Sequence, residues 1–218
     1  MMKRYTYLFI LPLCLMASSC TMMVKGIAKL VVKDYNDYTN TNISNIQLLD
    51  KEGSTQLFNS LYGGKTVYLY IWDNKRLAKD QEKSYRLLQE RFGKYPDVAF
   101  ANVYIGSDTA SNALKLTDNA STTAFREILK INNPAPFIIG KNGNILAYKG
   151  PKPNDKILVD YVLYQARNGV NGTKAAKQLI RGVNKHEKFK TVELRDWYTA
   201  HFGKSPDEKL NFSISSTN

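Results

Sequence analysis

The sequence predicts an α/β layer: a mixed sheet flanked by helices, with a helical extension at the C-terminus. Three observations lead there. Val67-Tyr-Leu-Tyr-Ile-Trp72 is an unbroken apolar, β-branched and aromatic run, the composition of a strand covered on both faces. Directly after it the apolar period lengthens to that of a helix. Further on, Gly140-Lys-Asn-Gly143 separates two apolar runs and reads as a hairpin turn. Strand, helix, strand and hairpin in this order make an α/β sheet of mixed direction.

Taken in order, Ile46–Leu49 and Thr55–Phe58 read as two short strands about the Asp50-Lys-Glu-Gly53 turn. Gly63-Gly64 punctuates the chain before the central strand. From about Lys75 to Gly93, Leu77, Tyr85, Leu88 and Phe92 fall near one helical face, and Gly93 is a stop. Asp97–Ile105 reads as the next strand. A loop and weak helix are expected after it, then a helix over about 121–130. Pro134–Ile139 and Asn144–Tyr148 form the hairpin, and 154–168 an amphipathic helix. Two more helices are expected over about 173–183 and 191–202, with Thr173 and Thr191 as N-caps. Trp197, Tyr198 and Phe202 read as the docking face of the last one.

Composition narrows the class. The chain of 218 residues is 43% hydrophobic and 23% charged, which excludes disorder and collagen-like repeats. Two Cys and two His exclude a disulfide-rich scaffold and finger-type zinc sites, so neither metal nor cofactor is expected. The net charge of +12 is spread along the chain, which argues against nucleic acid as a partner. Attraction to anionic lipid headgroups accounts for it more simply.

The first twenty residues read as an address. Lys3 and Arg4 precede an apolar run, Tyr5–Met16, that is shorter than the ~20 residues a membrane span needs and is interrupted by Pro12. Ala17-Ser-Ser-Cys20 follows and resembles the lipobox of bacterial lipoproteins, although Ala17 stands where Leu is usual. That resemblance implies cleavage before Cys20 and acylation (palmitate included) of its thiol, which gives stable anchoring once more than one chain is attached. Cys14 would leave with the signal and Cys20 would carry lipid, so the mature chain would hold no free thiol. The expected location is the bacterial envelope, facing the periplasm.

Residues 46–168 resemble the thioredoxin-like superfamily, in particular envelope-anchored thiol–disulfide oxidoreductases of the TlpA type. The matching features are the Asp50–Gly53 turn, Gly64-Lys65 before a strand ending at Trp72, Glu82 in the next helix, and Pro134 before a hairpin with Gly143 in its turn. The family's Phe-Trp-x-x-Trp-Cys-x-x-Cys-x-x-Glu run lies without gaps on Ile71–Glu82, and its two cysteines become Arg76 and Lys79. Neither side chain can supply a thiolate, so thiol–disulfide exchange is lost. The family's cis-proline matches Pro134, with Pro136 as a rival. The resemblance thus implies a substrate groove near Trp72, Lys75, Arg76, Lys79, Glu82 and Pro134, open to an envelope protein or peptide. The expected organisation is a signal peptide over 1–19, an anchor and tether over 20–45, the thioredoxin-like domain over 46–168 and the extension over 169–218.

The function expected is a binding or scaffold module without redox activity. The alternatives are a thioredoxin-like enzyme using non-thiol chemistry, or a structural envelope protein that assembles through its C-terminal helices. No Ser/His/Asp or paired-carboxylate constellation stands out, so no catalytic residue is named. Lys75, Lys79 and Lys83 share a helical face, offset by the pairs Arg76–Asp80, Glu82–Arg86 and Glu90–Lys94. His186 and His201 read as surface histidines. Gly64-Lys65-Thr66 is not a phosphate loop, because Asn59 stands where the first glycine belongs and a strand follows. Asp108-Thr109-Ala110 resembles a short bacterial O-glycosylation sequon.

Overall fold

The computed structural model describes residues 32, 35, 38–50, 52–72, 79–105, 114–116, 122, 123, 125, 127, 135–206 and 210. Seven strands form one mixed sheet in the order β2-β1-β5-β4-β3-β6-β7. They are β1 (Gln47–Leu49), β2 (Thr55–Leu57), β3 (Thr66–Trp72), β4 (Val98–Tyr104), β5 (Leu114–Leu116), β6 (Ala135–Ile139) and β7 (Ile145–Ala147). The helices are α1 (Phe58–Tyr62), α2 (Lys79–Phe92), α3 (Leu158–Ala166), α4 (Gly172–Gly182) and α5 (Val192–Phe202). Among the described residues no helix is long and apolar enough to cross a membrane.

β3 is the centre of the sheet. It pairs in parallel with β4 from Thr66↔Val98 to Trp72↔Tyr104, and antiparallel with β6 from Val67↔Ile139 to Ile71↔Ala135. Burial on both faces is why its sequence is continuously apolar instead of alternating. The β3–α2–β4 unit, the β6–β7 hairpin and α3, with spatial order β4-β3-β6-β7, make the architecture thioredoxin-like. The two turns read from sequence are present. Asp50 Oδ1 accepts from Glu52 N (3.0 Å) and Ser54 N (2.7 Å) around Gly53, and Gly143 closes the hairpin at φ 81°.

The pleat sorts the core into two clusters. Val67, Leu69 and Ile71 face Phe58, Phe125, Phe137 and Ile43 on one side. Tyr68 and Tyr70 face the other, with Tyr85, Leu88 and Phe92 of α2, Val162 of α3, Leu179 of α4 and Trp197 of α5. The helical extension therefore completes the same core. So does the segment read as tether, since Val32, Tyr35 and Ile43 are buried and Ile145 N donates to Thr41 O (3.0 Å). Its lack of an apolar period hid these residues, which enter the core singly.

Four local expectations are corrected. The region after Ile105, expected as loop and weak helix, supplies β5, whose Leu48↔Leu116 and Val103↔Leu114 pairings come from distant strands. Phe58 opens α1 and does not close β2. α3 starts at Leu158, after Ile157 at φ 55° interrupts the helical path. The cap of α4 is Asn171, whose side chain accepts from Lys174 N (2.8 Å); Thr173 lies within the helix, while Thr191 caps α5 as expected.

Candidate functional site

The groove expected from the resemblance lies at the C-terminal end of β3 and the start of α2. Lys75, Arg76 and Pro134 fall outside the described residues, as does Cys20. Lys79 is the first described residue of α2, with its side chain outside the description. Trp72 and Glu82 are described. Trp72 is half-buried at the last position of β3 and packs on Tyr104 with ring centroids 4.6 Å apart. No described peptide bond is cis, so Pro136, paired with Tyr70 in β6, is trans.

Glu82 is exposed and lines a cleft with Lys83, Tyr85, Arg86, Gln89 and, from β4, Asn102. Its volume is about 510 Å³. Asn102 belongs to the sheet face that α2 covers, because it pairs with Tyr70 and follows Phe100 by two residues. Its Oδ1 is buried without a hydrogen-bond partner, and so is the Trp72 indole N–H. An acceptor and a donor left unpaired next to the helix that carries the site are costly in an isolated fold.

The tyrosines behind this cleft are poor acid–base groups. Burial pushes Tyr70 up to about 12, and burial together with the nearby Tyr62 and Tyr70 raises Tyr85 further. Tyr68 is held by donation to Pro151 O (2.8 Å). Among the described residues, no three His, Cys, Asp or Glu side chains group closely enough to hold a metal ion.

A second constellation was missed in the sequence. His201, expected at the surface, is 3% exposed, and its Nε2–H donates to Asp160 Oδ1 at 2.8 Å. Asp160 is fully buried and also receives Arg91 in a fork, Nε to Oδ1 at 2.6 Å and Nη2 to Oδ2 at 2.9 Å. Burial alone would raise the Asp160 carboxyl, but the hydrogen bonds and charges of His201 and Arg91 hold it below the ordinary range. The Tyr95 hydroxyl lies 3.1 Å from His201 Nδ1. An aspartate–histidine pair can serve nucleophilic catalysis, but here both members are sealed from solvent and aromatic rings enclose the imidazole. The arrangement instead locks α5 onto α2 and α3. Lys94 adds to the lock: it caps α5 by donating to Ala200 O (2.6 Å) and His201 O (2.7 Å), where pairing with Glu90 was expected. Glu90 lies 3.9 Å from Arg86. Asp160 had a signal in sequence, a lone charge inside the apolar run Leu158–Leu163.

No protein-family profile matches the chain, and no curated protein matches it. Solved structures do. A domain from Cytophaga hutchinsonii described as a possible thiol-disulfide isomerase has 16% identity over 59% of this chain and 92% of that one, with a TM-score of 0.45. A Bacteroides vulgatus protein described as a thiol-disulfide oxidoreductase has 16% identity over 60% of this chain and 93% of its own, with a TM-score of 0.42. A thiol-disulfide oxidoreductase from Bacteroides fragilis has 14% identity over 49% and 88%, with a TM-score of 0.39. The strand order and pairing described above carry the thioredoxin-like assignment.

Proposed function

We propose that this chain is a lipid-anchored protein of the bacterial envelope, held through Cys20 and facing the periplasm. Its thioredoxin-like domain binds an envelope protein or peptide and exchanges no disulfides. The observation that carries this reading is the position of the only two cysteines, Cys14 and Cys20, both ahead of the fold. A thioredoxin-like sheet without a thiol keeps the groove of that fold and loses the attacking sulfur. Arg76 and Lys79, at the positions that match the family's cysteines, would present cations to an acidic or carbonyl-rich partner. The exposed Glu82, Lys83, Arg86 and Gln89 along the cleft support a bound segment beside α2.

The test is capture of crosslinked partners from envelopes of the source cells, with the full chain beside an Arg76→Glu/Lys79→Glu variant of matched circular dichroism. A partner identified on the wild type and lost from the variant is the expected result. An unchanged partner set sinks the groove reading, and measurable insulin-disulfide reduction by the purified chain sinks the redox-inactive one. Labelling with an alkynyl palmitate, lost in Cys20→Ser, checks the anchor.

A further inference from the structure

α4 turns a buried side to the core and a basic side away from it. Thr173, Ala175, Ala176, Leu179 and Ile180 are buried, and Lys174, Lys177 and Arg181 fall within one arc opposite them, as the helical period requires. Lys174 and Arg181 are exposed and Lys177 is half-buried. No acidic residue occurs in the helix, and among the described residues none of the three cations enters an ion pair. Like charges at three- and four-residue spacing weaken a helix unless something neutralises them.

The N-terminal segment meets this helix at its first turn. Thr173 Oγ1 donates to Val32 O at 2.6 Å, and Tyr148 N donates to Tyr35 O at 3.2 Å. A Cβ on Gly172 would lie 3.3 Å from Tyr35 Cβ, so the backbones are in close contact there. Val32 lies twelve positions after Cys20, a reach of at most ~40 Å. An anchor at Cys20 therefore holds the lipid surface within that distance of Val32, which sits at the first turn of α4.

We propose that the Lys174–Lys177–Arg181 face of α4 seats on the anionic headgroups of a phospholipid surface. The orientation rests on the reading of Cys20 as the anchor, whereas the affinity of the face does not. Each cation near an anionic surface changes partitioning by about fivefold, and the attraction is screened by salt.

The experiment is cosedimentation of the full chain carrying Cys20→Ser, so that no acyl chain contributes. The vesicles are either phosphatidylglycerol/phosphatidylethanolamine or phosphatidylcholine alone. Binding to the anionic vesicles only is expected. Lys174→Glu/Arg181→Glu should lower it by at least about twentyfold with unchanged circular dichroism. A charge-matched control, Lys65→Glu/Lys156→Glu, should stay within about threefold of the parent. An equal loss in both variants would mean that net charge alone acts and would overturn the face. Equal binding to neutral vesicles, or none to anionic ones, would overturn it too. Because the chain carries no lipid, these outcomes are independent of palmitate labelling, which tests Cys20 separately.

Discussion

Asp160 and His201, 41 residues apart, meet in the core at 2.8 Å, with neither side chain open to solvent. The contact joins α3 to α5, and Arg91 brings α2 to the same carboxylate. Around it the imidazole stacks at 9° to Tyr95 and 13° to Trp197, and Arg167 lies 4.2 Å over the Tyr95 ring. One buried carboxylate thus holds the guanidinium and the imidazole that tie three helices together.

Removing that carboxylate leaves the buried His201 and the half-buried Arg91 without their acceptor. Asp160→Ala should cost ~3–5 kcal/mol, read from urea unfolding followed by tryptophan fluorescence. His201→Gln, which can still donate, should cost less than His201→Leu. Equal stability of Asp160→Ala and the parent would show that the network contributes nothing.

The same group sets an acid limit. The Asp160 carboxyl is held below its ordinary value in the fold, so its contribution is complete above the unfolded value and is lost as pH falls through the folded one. Asp97, held down by Lys141 at 3.0 Å and Arg167 at 2.9 Å despite partial burial, acts in the same direction. The melting temperature should fall as pH drops below ~5, and Asp160→Asn should flatten that fall. A profile identical in the variant and the parent would refute the assignment to Asp160.

Gly172 is where the N-terminal segment, β7 and α4 touch. A Cβ there would come within 2.6 Å of Ala147 Cβ, an atom with no freedom to move aside. Gly172→Ala should therefore destabilise by ~1–3 kcal/mol, even though alanine favours helix. A stabilised variant in thermal melts would contradict the close approach.

The described residues of the extension, 169–206 and 210, add to the core and do not form a separate unit. Ala175, Leu179, Leu194 and Trp197 belong to the cluster that contains Tyr68 and Tyr70 of the central strand. A chain ending at residue 168 would expose that surface, so it should bind a hydrophobic dye strongly and lose its cooperative unfolding transition. A sharp transition in the truncated chain would show that the sheet stands without the extension.

Burial raises Tyr70 to about 12. Absorbance at alkaline pH should show a tyrosine class near that value that is missing in Tyr70→Phe, whose stability changes little. Titration of all tyrosines near 10 would contradict the burial.

Local pattern was enough to read several elements from the residues alone. The continuous apolar run of β3 identified a strand buried on both faces, Asp50–Gly53 and Gly140–Gly143 named two turns, and the helical periods placed α4 and α5 within one residue of their observed limits. The absence of cysteine from residues 21–218 is also a sequence fact. The tertiary structure alone decided which isolated polar residues are buried and what they meet. His201 and Asp160 are ordinary letters on separate helices until α5 packs against α3, and Val32 and Tyr35 have no period that marks them as core. β5 is a strand because β1 and β4 supply its hydrogen bonds, and Lys94 caps a helix more than a hundred residues away in sequence. Periodicity encodes an element's own face, whereas the partner of a buried charge is set by contacts that close only when distant elements pack.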